Sequence, residues 1–73
     1  GLALIKKIIK QAPLFLKPNE EMKQKNIPQL VLEIGYKQGP AVATYMKELG
    51  YTSIIVHQDL EKKDRYVSGR IDD

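Results

Sequence analysis

A chain of 73 residues with twelve Lys and Arg, nine Asp and Glu and no cysteine makes one small domain at most, excludes disulfides and thiolate zinc sites, and leaves His57 as a lone imidazole that cannot form a metal site by itself. Its net charge of +3 is scattered along the sequence and is too weak to argue for nucleic acid. No apolar run approaches the roughly 20 residues of a membrane span, and the N-terminus lacks a signal-peptide layout, so a soluble, cytoplasmic chain without membrane contact is expected.

From Leu2, the segment LALIKKIIKQAPLFLK places Leu2, Ile5, Ile8, Ile9 and Ala12 at helical spacing with Lys6, Lys7 and Lys10 between them. This predicts an amphipathic helix over about 2–16. Pro13 removes one backbone donor and presses on the Ile9 carbonyl, so the helix kinks or ends there, with an added turn before Lys17 and Pro18 stop it. A basic amphipathic helix can also lie on a membrane surface, but a helix that faces a sheet needs this same stripe. Asn19 to Gln29, NEEMKQKNIPQ, reads as a polar loop with room for one helical turn around Glu20 to Lys25.

Leu30 to Ile34 reads as a short buried strand closed by Gly35, with Leu30, Leu32 and Ile34 on one face and Val31 and Glu33 on the other. Glu33 is a carboxylate in an apolar strand, but no second acid, histidine or lysine stands at a fixed offset to give it catalytic work. Gly35 to Gly39 turns the chain into a helix over 40–49, with Pro40 at a first helical position, Gln38 or Gly39 as cap and Gly50 as the stop. The two glycines do not amount to a phosphate loop, because neither GxGxxG nor GxxxxGK[ST] is present.

A strand over 52–57 carries Ile54, Ile55 and Val56 and ends at His57, for which the local sequence offers no orienting partner. After the charged turn Gln58 to Asp64, a strand over 65–71 completes an antiparallel hairpin. Lys62, Lys63, Arg65 and Tyr66 are too few to make a convincing basic and aromatic patch for single strands.

The order is thus helix, strand, helix, strand, strand. The segments LIKKIIKQAPLFLKP, LEIGYKQGPAV, KELGY and HQDLEKKDRYVSGR resemble, in order and spacing, the C-terminal half of the HemK/PrmC family, the N5-glutamine methyltransferases that modify peptide-chain release factors. The resemblance covers most of the chain except the loop. It implies a class I, Rossmann-like α/β fold with sheet order 3-2-1-4-5-7-6, in which the Leu30, Tyr51 and Arg65 strands would be the fifth, sixth and seventh. It also implies S-adenosylmethionine as cofactor and a release factor as partner of the parent enzyme.

The departures from the family pattern concern function. The family's glycine-rich loop after the first strand, its acidic residue after the second and its NPPY motif after the fourth do not occur in this chain. No catalytic, cofactor-binding or metal-binding residue is therefore expected, and the isolated chain is expected to be inactive. The family's KPGG turn is replaced by an insertion of about eight residues between Pro18 and the strand, and Lys62 stands where the family's DLxGxDR turn has glycine. The alternative is a free-standing interaction module that self-associates through the exposed edge of the Leu30 strand.

Overall fold

Pro13 decides where the first helix ends. In the computed structural model, which describes residues 1–17 and 19–71, helix α1 spans Leu2–Gln11 and passes into a 3-10 turn at Ala12–Leu14. The α-helix therefore stops short of the expected span to 16, because position 13 cannot continue the ladder. The expected stop at Pro18 lies outside the described residues. Leu2, Ile5, Ile9 and Ala12 face the protein, whereas Ile8 is 38% exposed. Ile8 was expected in the buried stripe, but at 100° per residue it lies about 100° from Ile9 and falls on the neighbouring side of the helix.

The segment expected as a loop over 19–29 contains helix α2, Glu20–Gln24. Asn19 caps it by accepting a hydrogen bond from the Met22 amide at 3.0 Å, and Glu20 and Glu21 occupy the first turn, where the helix dipole favours negative charge. Strand β1 follows at Leu30–Glu33, then α3 at Gly39–Glu48, β2 at Thr52–Gln58 and β3 at Asp64–Arg70. These bounds differ from the sequence expectations by a residue at one or both ends.

The three strands form one sheet in the order β1-β3-β2. β3 is antiparallel to both neighbours, with Leu32 opposite Val67 in one ladder and Val56 opposite Val67 in the other. β1 and β2 therefore run in the same direction with β3 between them. A bulge between Thr52 and Ile55 contains Ser53 at φ 51°. The fold is α/β, a three-stranded antiparallel sheet with helices, and its last two strands are a hairpin.

Helices α1 and α3 share one face of this sheet. Ile9 from α1, Val42 and Met46 from α3, Ile34, Tyr51 and Val67 form the buried cluster. Gly69 makes room for it, since a Cβ there would come within 2.7 Å of the Met46 methyl. Gly50, at φ 92°, ends α3 as expected. Its amide donates to the Lys47 carbonyl at 3.1 Å and the Tyr51 amide to the Met46 carbonyl at 3.0 Å, the paired bonds of a Schellman stop.

That stop delivers Tyr51 into the core, 3% exposed, with its hydroxyl donating to the Ile9 carbonyl at 2.8 Å. Burial raises the Tyr51 pKa above its ordinary value. In an unbroken helix the donor to Ile9 would be the amide of residue 13, which is proline. Tyr51 thus satisfies a carbonyl that Pro13 leaves unpaired. Tyr51→Phe is expected to destabilise the chain by about 1–3 kcal/mol, the penalty of a buried unpaired acceptor. In a Pro13→Ala background, which returns an amide to that position, the loss should shrink. Urea unfolding of the four members of this double-mutant cycle measures the coupling.

Candidate functional site

The sheet face away from α1 and α3 gathers the residues that the sequence singled out separately. By alternation, Val67 and Gly69 point toward the helices and Tyr66, Ser68 and Arg70 away from them. The registers place Val31, Ser68 and Ile55 in one row across this outer face and Glu33, Tyr66 and His57 in the next. Val31, Ile55 and Tyr66 are 46–55% exposed. Pro28, Val31, His57, Tyr66 and Ser68 line a shallow depression of ≈ 340 Å³.

His57 does have an orienting partner, contrary to the sequence reading. Its Nε2 lies 2.7 Å from the Ser68 hydroxyl, which is nearly fully buried. The partner comes from β3 through the strand register, so a search among chain neighbours could not find it. Glu33 stays exposed at the strand end, one strand away from the His57 pair. The row thus places a carboxylate, a phenol and an imidazole across three strands, with the two titratable ends separated by Tyr66.

The insertion closes one end of this face. Gln29 donates from its amide to the Gly69 carbonyl at 3.0 Å, and its side-chain oxygen accepts from the Ile71 amide at 2.7 Å. The guanidinium of Arg70, itself 2% exposed, donates to the Ile27 carbonyl. Among the described residues, Gln29 and Ile27 hydrogen-bond to Lys17, Met22, Gly69, Arg70 and Ile71.

The Gly35 to Gly39 turn is closed by its own side chains. The Gln38 side-chain oxygen accepts from the Gly35 amide at 2.8 Å. A Cβ on Gly39 would collide with the Asp64 carboxylate and stand 3.1 Å from a Val56 methyl. Packing against the hairpin therefore explains this glycine. Two basic residues of the hairpin are also engaged: Arg65 pairs with Asp59 at 2.7 Å, and Lys63 pairs with Glu61 at 3.4 Å and lies 5.7 Å above the Tyr36 ring. On the opposite side of the molecule Lys6 sits 5.2 Å above the Tyr45 ring, beside a hollow of ≈ 610 Å³ rimmed by Lys7 and Lys10. Among the described residues no group of three or more His, Asp or Glu could hold a metal ion, and no helix is long and apolar enough to cross a membrane.

Asp59 organises the hairpin turn. Its carboxylate accepts from the Lys63 amide at 3.0 Å and the Glu61 amide at 2.8 Å as well as from Arg65. The Lys63 amide first and the Arg65 guanidinium next hold its pKa below the usual carboxylate value. A depressed folded-state pKa adds stability above the unfolded-state value and loses it as pH falls through the folded one. Thermal melts should therefore drop as pH is lowered below about 4, and Asp59→Asn should flatten that part of the profile.

Lys62 in the same turn has φ 63°, a left-handed conformation that costs a side-chain-bearing residue roughly 1–2 kcal/mol. Lys62→Gly should raise stability by up to about 1 kcal/mol after glycine's entropy loss is subtracted, read as a higher urea midpoint.

Comparison with known proteins gives these elements a relationship. The chain is 40% identical over 70 residues to the release factor glutamine methyltransferase of Vibrio cholerae, covering 96% of this chain and 22% of that protein. It is 39% identical over 69 residues to the protein of the same name in Lactococcus lactis, covering 93% of this chain and 23% of the relative. It is 36% identical over 67 residues to a bifunctional methyltransferase of Rickettsia bellii, covering 92% and 11%. No family model matches the chain, and no solved structure matches it. The chain spans less than a quarter of the length of these curated relatives. Along nearly all of its own length the chain is similar in sequence to release factor glutamine methyltransferases.

Proposed function

We propose that these 73 residues are a single small domain, the C-terminal structural part of a protein-(glutamine-N5) methyltransferase domain that acts on peptide-chain release factors with S-adenosylmethionine. The observation that carries this reading is the identity of about 40% to a release factor glutamine methyltransferase along 96% of the chain. The sheet order β1-β3-β2 supports it further: two strands running the same way with an antiparallel strand between them suit the fifth, seventh and sixth strands of a class I methyltransferase sheet. A cytoplasmic setting follows from the same reading, because its partner would be a release factor.

The turn into α3 does not fit the cofactor. The glycine-flanked entry to α3 is filled by Gln38 and Asp64, which leaves no cradle for a nucleoside or a sulfonium group. In this reading the role of the chain is mechanical. Its strands widen the sheet on which the cofactor loop and the amide clamp of the parent are mounted, and α1 and α3 seal one face of that sheet.

The isolated chain should show no calorimetric titration with S-adenosylmethionine and no methyl transfer to a glutamine-containing release-factor peptide. Mixed with the remaining portion of the Vibrio cholerae relative, it should restore transfer. A saturable micromolar cofactor site on the 73 residues alone would overturn the proposal.

A further inference from the structure

The side of the helical layer turned away from the sheet carries a groove whose two walls, α1 and α3, both belong to this chain. Lys6 of α1 reaches over the Tyr45 ring of α3, 5.2 Å from its centroid, and this pair borders two hollows. One, of ≈ 610 Å³, has Ala3, Leu14 and Tyr45 as apolar lining and Lys6, Lys7 and Lys10 as its rim. The other, of ≈ 380 Å³, lies along α3 and includes Pro40, Thr44 and Glu48. At 100° per residue Ala3, Lys7 and Lys10 stand roughly 120–180° from the middle of the Ile5 and Ile9 stripe, so they face outward. A larger sheet of the kind proposed above gains its strands beside β1 and its helices past Leu4 and Ile8, on the other side of α1 from Lys6. The groove stays open in that setting.

We propose that this groove binds a short acidic segment of a protein partner, with carboxylates over Lys7 and Lys10 and an apolar side chain seated between Leu14 and Tyr45. The inference does not depend on the methyltransferase reading. Charge is the first argument. Among the described residues the ion pairs run from Lys25, Lys63 and Arg65, so Lys6, Lys7 and Lys10 have no carboxylate partner within the chain. They stand within about 6 Å of helix rise, close enough for neighbouring acidic side chains of one segment to meet them together.

Shape is the second argument. Leu14 is 80% exposed and forms one wall of the larger hollow, and a hollow with apolar walls and a cationic rim receives a side chain that projects from its partner. Membrane binding works the other way, by inserting the protein's own apolar side chains into lipid. The groove is also a poor platform for single-stranded nucleic acid, because Lys6 already covers a face of its one aromatic ring. Glu48 sets the length of the segment. It lines the second hollow and repels a continued run of acids, so the bound stretch is acidic over Lys7 and Lys10 and uncharged or basic past the Lys6 bridge.

Fluorescence anisotropy of a labelled peptide in which glutamates flank a single leucine, titrated with the chain, tests the proposal, with far-UV circular dichroism to confirm folding of each variant. Saturable binding that weakens as salt rises is expected. Lys7→Glu combined with Lys10→Glu should lower the affinity by about tenfold or more. Lys23→Glu combined with Lys62→Glu makes the same change of charge elsewhere and should leave the affinity within about twofold. Leu14→Ser, at an exposed position, should weaken binding of this peptide but not of its counterpart with glycine in place of leucine. Absence of saturable binding, an equal loss from the two charge-reversed pairs, or tighter binding to poly-uridylate RNA or to phosphatidylglycerol vesicles than to the peptide overturns the proposal.

Discussion

The hydrogen bond from the Tyr51 hydroxyl to the Ile9 carbonyl ties together two parts of this chain 42 residues apart. Pro13 creates the need by withholding an amide. Gly50 meets it by taking the left-handed φ that ends α3 and turns Tyr51 inward. Between them the bond fixes the position of α1 on the sheet. The α1 helix packs its buried stripe beside α3 and is connected to β1 by a polar segment, so a directional contact at its C-terminal end locates it more sharply than apolar packing alone.

Much of the architecture could be read from the sequence because its signals were local. Alternation placed Leu30 and Leu32 inward, Pro40 and Gly50 bracketed α3, and Pro13 shortened α1. What escaped depended on relations between distant residues. Ile8 differs from Ile9 by one helical step, and which of them is buried depends on where α3 lies. His57 gained its partner Ser68 from a register that includes two irregularities in β2, which no sequence count supplies. The helical turn for which the polar insertion had room, around Glu20 to Lys25, formed as α2, with the Asn19 side-chain oxygen as its cap.

Lys62 shows a different kind of legibility. Resemblance to a family turn marked this position as glycine, and the backbone there does adopt the conformation that favours glycine. The Asp59 carboxylate, accepting from two amides and a guanidinium, holds the turn in shape despite the side chain. The candidate site was less legible. Its outer-face rows of Val31, Ser68 and Ile55 and of Glu33, Tyr66 and His57 bring together residues from three strands, yet they form a surface for contact rather than a set of groups converging on one atom.

The central position of β3 sets the order of events when the chain is made. β1 and β2 leave the ribosome before β3, the strand to which both of them bond, so the ladders within this three-stranded sheet wait for the hairpin. A stop codon before Val67 would remove the middle of the sheet rather than its rim. Shortening this chain at its C-terminal end therefore threatens the whole fold, whereas in a sheet that grows outward with sequence the same cut would trim an edge.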